Sequence, residues 1–205
     1  LLTNPENGLA SHYLVPPFPA IRTRQTETQN SVVEGVNAMK IFSANIQDLQ
    51  TLYISNLKKA LDMEQKITKA LPDLIEKASD PDLATAFQAH LLETQGHVVQ
   101  VESLLQRATG ESKTETCKVI DGLTTEASDT ITDVTDPSIR DIALIGAAQQ
   151  VEHHEIAVYG TLRRWAELLG LSDDVLVLES IEEDEGHADE LLSEIAERVN
   201  FQAAA

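Results

Sequence analysis

Two Asp-Pro dipeptides, Asp80-Pro81 and Asp136-Pro137, punctuate a sequence that otherwise reads as helix from Ser43 onward. Aspartate ahead of proline is a strong helix start. The carboxylate caps the first free N–H groups, and proline at the first helical position lacks only an N–H that would have no partner there. Gly110 and Gly170 stand where the preceding helices should stop, because a residue without Cβ readily takes the left-handed conformation that ends a helix. Ser172 is placed to cap a last helix, with Asp173 and Asp174 in its first turn. The punctuation predicts four long helices over about 43–78, 81–109, 137–169 and 173–199, with Pro72 kinking the first.

The connections then decide topology. The first two helices, and the last two, are joined by two or three residues, so each pair is an antiparallel hairpin. The link from Gly110 to Asp136 is long enough to cross the bundle from end to end. Within it Val119, Ile120, Leu123, Ala127 and Ile131 mark a short amphipathic helix interrupted by Gly122. Two hairpins joined by one long crossover form the ferritin-like, all-α four-helix arrangement.

Residues 1–42 differ from the rest. Pro16, Pro17 and Pro19 around Phe18 exclude a helix or a central strand, and Thr23 to Asn30 is polar and unpatterned. This segment is expected to be an extended arm, either disordered or laid on a neighbouring subunit through Tyr13-Leu14-Val15 and Phe18. The bundle is assigned to residues 43–205. Aromatic residues make up only 4% of the chain, so its core must be built from Leu, Ile, Val and Ala.

Several function classes are disfavoured at this stage. No apolar run approaches the roughly 20 residues of a membrane helix. The lone cysteine, Cys117, excludes an internal disulfide and a cysteine-based metal site, and points to a reducing, cytoplasmic setting. The formal net charge is −19. Residues 1–42 balance Glu6, Glu27 and Glu34 against Arg22, Arg24 and Lys40, so the helical part carries all of the excess. Such a surface repels nucleic acid and anionic membrane. It attracts cations, or keeps a protein soluble in high salt.

The informative residues are the polar ones on the apolar stripes. At roughly 100° per residue, Glu64 falls amid Ile46, Tyr53, Leu57, Leu61, Ile67, Leu71 and Ile75 of the first helix. His90, Glu93 and His97 fall on the face of Leu83, Ala86, Val101 and Leu104 in the second. In the third, Glu152 is centred among Ile145, Ala148, Ile156 and Tyr159, with Gln149 and Glu155 at the edges. In the fourth, Glu185 is centred among Leu178, Ile181, Ala188, Leu192 and Ile195, flanked by Glu182 and Asp189.

Each helix therefore carries a glutamate on its apolar midline. Buried carboxylates need protons, cationic partners or metal, and no Lys or Arg lies on these stripes beside them. Divalent metal is the natural compensator. Glu93-x-x-x-His97 and Glu185-x-x-x-Asp189 share one offset, as if each hairpin supplied half a site. Oxygen-rich ligation with one or two imidazoles suits iron or manganese. The pair Glu183-x-x-x-His187 has the same spacing, but both residues sit about 160° round the helix from Glu185, on the solvent face. His153 is placed at the edge of the buried face, and His154 is expected to be exposed. His90 reads equally as a core histidine bonded to a carboxylate or as a ligand.

The segments Leu52-Tyr53, Glu64 to Pro72, Ala86-Phe87, His90-Leu91, Glu93-Thr94, Gly122-Leu123 and above all Asp141 to Gly160 (DIALIGAAQQVEHHEIAVYG) resemble the YciE/YciF family over roughly residues 45–195. The resemblance implies a ferritin-like fold and a metal-binding, stress-associated bacterial or archaeal protein, often dimeric. It is more distantly similar to rubrerythrins and manganese catalases. Glu64, Glu93, Glu152, Glu155, Glu185 and Asp189 match positions where the family usually has acids. His97 falls where many relatives carry Gln, and His154 and His187 are not family features. The N-terminal arm has no counterpart there.

The metal set expected from the sequence is thus Glu64, Glu93, His97, Glu152, Glu155, Glu185 and Asp189, holding two iron or manganese ions. Glu152 and either Glu93 or Glu185 would bridge them. The activity expected is reaction with peroxide or oxygen, or oxidation of ferrous iron. The alternative is a non-catalytic helical subunit of a homo-oligomer, a dimer or larger, assembled through its arm.

Overall fold

The computed structural model describes residues 46–203, so the expected arm at 1–42 lies outside the described residues. Five helices follow in order: α1 Leu49–Lys77, α2 Pro81–Thr109, α3 Lys118–Asp133, α4 Pro137–Leu169 and α5 Ser172–Ala203. Asp80 and Asp136 each accept from two backbone N–H groups of the turn they start, with the proline at the first helical position. Gly110 and Gly170 end α2 and α4 with φ of 78° and 72°, where a side chain would be strained.

Three local expectations need correction. α1 starts at Leu49, where the Asp48 carboxylate accepts from the Thr51 N–H at 2.7 Å; that cap ends the helix short of residue 43. Ser172 is the first residue of α5 instead of its cap, and the Leu171 carbonyl accepts the first helical N–H, from Val175. α3 runs unbroken through Gly122, since one glycine costs only about 1 kcal/mol in a helix. Pro72 lies exposed within α1, as placed from the sequence.

α1 packs on α2 and α4, and α5 packs on the same two helices, which closes a four-helix ring. α3 lies outside the ring against α1 and α4. Hydrogen bonds at the two ends fix the directions. At one end the Ser79 and Asp80 backbone N–H groups donate to the Asp141 carboxylate at 2.8 and 2.9 Å, and Arg198 reaches Asp80 at 2.6 and 2.9 Å. At the other, Tyr53 and Arg107 both donate to Asp174, at 2.9 and 3.0 Å. Every neighbouring pair in the ring is therefore antiparallel. α2 and α4 run the same way, as a long crossover requires.

The buried positions follow a sharper rule than amphipathicity. They alternate by four and three along α1 (53, 57, 60, 64, 67, 71, 74), α2 (83, 87, 90, 94, 97, 101, 104) and α4 (141, 145, 148, 152, 155, 159, 162, 166). The same alternation runs along α5 through 174, 178, 181, 185, 188, 192, 195 and 199, with only Ala188 partly exposed. This 3.5-residue seam is the packing period of a left-handed bundle. Polar residues that fall on the seam at mid-height are driven into the core by the packing of everything above and below them.

Candidate metal centre

Glu64 of α1, His90 and His97 of α2, Glu152 and Glu155 of α4 and Glu185 of α5 all lie on the seam at mid-height, and all are buried. They form two groups whose donor atoms lie within 4.8 Å of one another: His90, Glu152, Glu155 and Glu185 in one, Glu64, His97 and Glu185 in the other. Glu185 is common to both. Layers containing Leu57, Leu61, Val101 and Leu104 on one side, and Leu71, Leu83, Phe87 and Leu144 on the other, are fully or almost fully buried, so the groups face one another between apolar layers.

Contacts within the cluster are close but poorly aligned for hydrogen bonding. His97 Nδ1 is 3.0 Å from Glu185 Oε1 and 4.0 Å from Glu64 Oε2. His90 Nε2 is 3.4 Å from Glu152 Oε1, and its Nδ1 is 3.9 Å from both Glu185 Oε2 and Glu93 Oε2. Both nitrogens of His90, Nδ1 of His97, both oxygens of Glu155 and of Glu185, and Oε2 of Glu64 and Glu152 make no hydrogen bond. An unpaired buried polar atom costs about 1–3 kcal/mol. Such a concentration at one point could hold a cation, and a hard or borderline one fits carboxylate and imidazole donors.

Electrostatics tell the same story. Burial, reinforced by the Glu185 carboxylate, pushes Glu64 up to about 8, against the pull of His97 and the Tyr159 hydroxyl. Glu152 and Glu155 are pushed well above the carboxylate range by burial and then by Glu185. Burial lowers His90. Burial would lower His97 too, but the Glu185 and Glu64 carboxylates outweigh it and raise the ring to about 9. Among these acids and imidazoles His97 alone pulls a carboxylate, Glu64, back toward its ionised form.

Outer contacts orient the inner atoms. The Tyr159 hydroxyl donates a hydrogen bond to Glu64 Oε1. His97 Nε2 lies 3.2 Å from Asp184 Oδ2 on the outer side. A proton shared there leaves Nδ1 facing Glu64 and Glu185, the arrangement by which a carboxylate sets the tautomer of a ligating histidine.

The structure brings together five of the seven residues expected from sequence: Glu64, His97, Glu152, Glu155 and Glu185. It does not bring in the other two. Glu93, expected on the buried face, is 51% exposed, because Thr94 takes the seam position beside it. Asp189 is displaced by Ala188 and is occupied by Gln149 Nε2 at 3.2 Å and His153 Nδ1 at 3.3 Å. His90, which the sequence left open between a core histidine and a ligand, joins the cluster. The signal that would have favoured it over Glu93 is the four-three spacing His90, Thr94, His97. Glu183 and His187 are exposed, as their angle requires. The two adjacent histidines are reversed from expectation. His153 is exposed, whereas His154 is half-buried, 3.7 Å from Cys117 Sγ, on the flank that α3 covers.

The family model described as "Domain of unknown function (DUF892)" matches residues 48–205. The chain belongs to this family. Protein YciF of Escherichia coli (strain K12) is 35% identical over 153 residues, which is 74% of this chain and 92% of that protein. The crystal structure of the E. coli stress protein YciF has a TM-score of 0.72 at 34% identity, covering 75% of this chain and 98% of that one. YcfI from Rhodopseudomonas palustris reaches the same TM-score at 38% identity, with the same coverage. Ferritin-like, diiron-carboxylate proteins from Bacillus anthracis str. Ames share the fold at 18% identity, with a TM-score of 0.59 over 74% of this chain and 99% of that one. The YciE/YciF resemblance and the ferritin-like all-α bundle read from the sequence are therefore borne out. Among the described residues no helix is long and apolar enough to cross a membrane.

Proposed function

We propose that this DUF892 protein holds a pair of iron or manganese ions in the six-residue cluster. We further propose that it uses them as a stress defence, against peroxide or dioxygen or in oxidising ferrous iron as substrate. The observation that carries this reading is the set of buried donors with no hydrogen-bond partner in Glu64, His90, His97, Glu152, Glu155 and Glu185. Four ionised carboxylates bring four negative charges, which two divalent cations balance; one cation would leave an uncompensated buried charge. In this reading Glu185, which belongs to both groups, would be available to either ion. Glu64 and His97 complete one set of ligands, and His90, Glu152 and Glu155 the other. The E. coli relative is called a stress protein, which agrees with such a role.

Adjacent redox-active ions supply the electrons for two-electron chemistry on an O–O bond. The chain supplies the rest. The Tyr159 hydroxyl fixes the orientation of the Glu64 carboxylate, and Asp184 holds the outer nitrogen of His97 so that Nδ1 faces the cluster. The leucine layers keep bulk water away from the reacting centre. Protein prepared without added metal, then titrated with ferrous iron or with manganese, tests the reading by elemental analysis together with oxygen uptake and peroxide loss. A pair of ions per chain with turnover of one oxidant is the expected result. Substoichiometric metal that does not rise on titration refutes it.

A further inference from the structure

A cavity of about 100 Å³ separates α2 from α5 beside the cluster, lined by residues that include Ala86, Ala89, His90, Glu93, Glu152 and His187. Small side chains at Ala86 and Ala89, with Ala188 opposite them on α5, leave the helix seam open there. Its outer part carries the exposed Glu93 and His187. Its inner part carries the buried His90 and Glu152, with both ring nitrogens of His90 and Oε2 of Glu152 lacking partners. The two ends therefore offer the same chemistry, one carboxylate and one imidazole, first exposed and then buried. Glu93 Oε2 and His90 Nδ1 are 3.9 Å apart, so one short step joins them. The same His90 and Glu152 also line a cavity of about 30 Å³ on the α1, α3 and α4 side, whose remaining walls are almost entirely apolar and include Ile67, Leu71, Leu74 and Phe87. Beyond His90 and Glu152, Thr124 is the one polar side chain of that lining, so a cation shedding water finds no charged foothold there.

We propose that Glu93 and His187 form the portal through which a divalent cation reaches the cluster, drawing it from solvent and handing it to His90 and Glu152. This rests on the reading that the cluster binds metal. It gives a task to two residues that the sequence singled out and that lie outside both ligand groups.

The test follows cobalt(II) binding to the metal-free full chain by its visible absorption in a stopped-flow instrument, with final occupancy read by elemental analysis. The double variant E93Q/H187N is expected to load roughly tenfold more slowly, in the range by which local charge raises on-rates, and to reach the same final occupancy. E183Q, which removes an exposed carboxylate of the same helix outside this cavity, is expected to load at nearly the wild-type rate. Wild-type loading by the double variant overturns the portal while leaving the metal site standing. Lower final occupancy in the double variant also overturns it, by making Glu93 or His187 a ligand. Failure of the wild-type chain to take up cobalt, iron or manganese overturns the metal site and the portal together.

Discussion

Replacing Glu185 with glutamine separates a metal-binding role for the cluster from a structural one, because the two roles predict different melting behaviour with and without metal. Glu185 is fully buried, and both of its oxygens lack hydrogen-bond partners. Its charge raises Glu64, Glu152 and Glu155. Removing that charge from the metal-free protein relieves its repulsion with the neighbouring carboxylates and gives up its attraction to His97 Nδ1 at 3.0 Å, so the melting temperature of the metal-free variant should stay close to that of the wild type. The metal-loaded protein behaves differently. A ligand that binds only the folded state adds RT ln(1 + [L]/Kd), about 2.7 kcal/mol at a free concentration one hundred times Kd. At about 2–4 °C per kcal/mol for a domain of this size, the wild type should melt about 5–11 °C higher with iron or manganese than with chelator. E185Q removes the one donor shared by both groups and should lose most of that rise. E183Q, on the solvent face, should keep it and so control for ions held loosely by the acidic surface. The assay is calorimetry or helical circular dichroism on the three proteins, with and without metal. The reasoning is refuted if wild type and chelated wild type melt within about 1 °C of each other, or if E185Q retains the full rise.

Two further outcomes follow from the same geometry. Y159F frees Glu64 Oε1 from its hydroxyl partner while leaving the packing in place. It should weaken metal binding by about 10–100-fold with unchanged stoichiometry, measured by competition with a chelator of known affinity; unchanged affinity would show that Glu64 needs no positioning. The pH dependence has a worked sign. Glu64 is held near 8 in the folded protein against 4.5 for the free group, so between those values the unfolded chain loses a proton that the folded one keeps, and stability falls as pH rises. His97, raised from 6.5 to about 9, contributes stability that is present below 6.5 and lost as pH rises through 9. Both make the metal-free protein less stable at alkaline pH, while metal must displace these protons and binds more tightly there. Calorimetric titrations near neutral pH in two buffers of different ionisation enthalpy should show net proton release on binding, and none would contradict the assignment of Glu64 and His97.

The ends of the helices were fully legible in the amino-acid sequence at Asp80-Pro81, Gly110, Asp136-Pro137 and Gly170, because caps are local chemistry between residues a few positions apart. The connections between them imposed two hairpins and a crossover. Glu64, Glu152 and Glu185 were legible for a related reason: each sits near the middle of its stripe, where a small error in angle leaves it inside. Residues at the edges were not. A stripe drawn at 3.6 residues per turn drifts by about 20° per heptad from the 3.5-residue seam that packed helices adopt. On α2 that drift takes Glu93 off the face drawn from the sequence and keeps His90 on it, and on α5 it leaves Ala188 on the seam and Asp189 beside it. Only the neighbouring helices decide which side of the seam faces inward, since the supercoil exists only when all four are packed. The outward hold of Asp184 on His97, the Tyr159 bond to Glu64 and the opening between α2 and α5 belong to that level as well. They join residues 87 and 95 positions apart or rest on which small residues face each other across two helices, and no local pattern encodes such meetings.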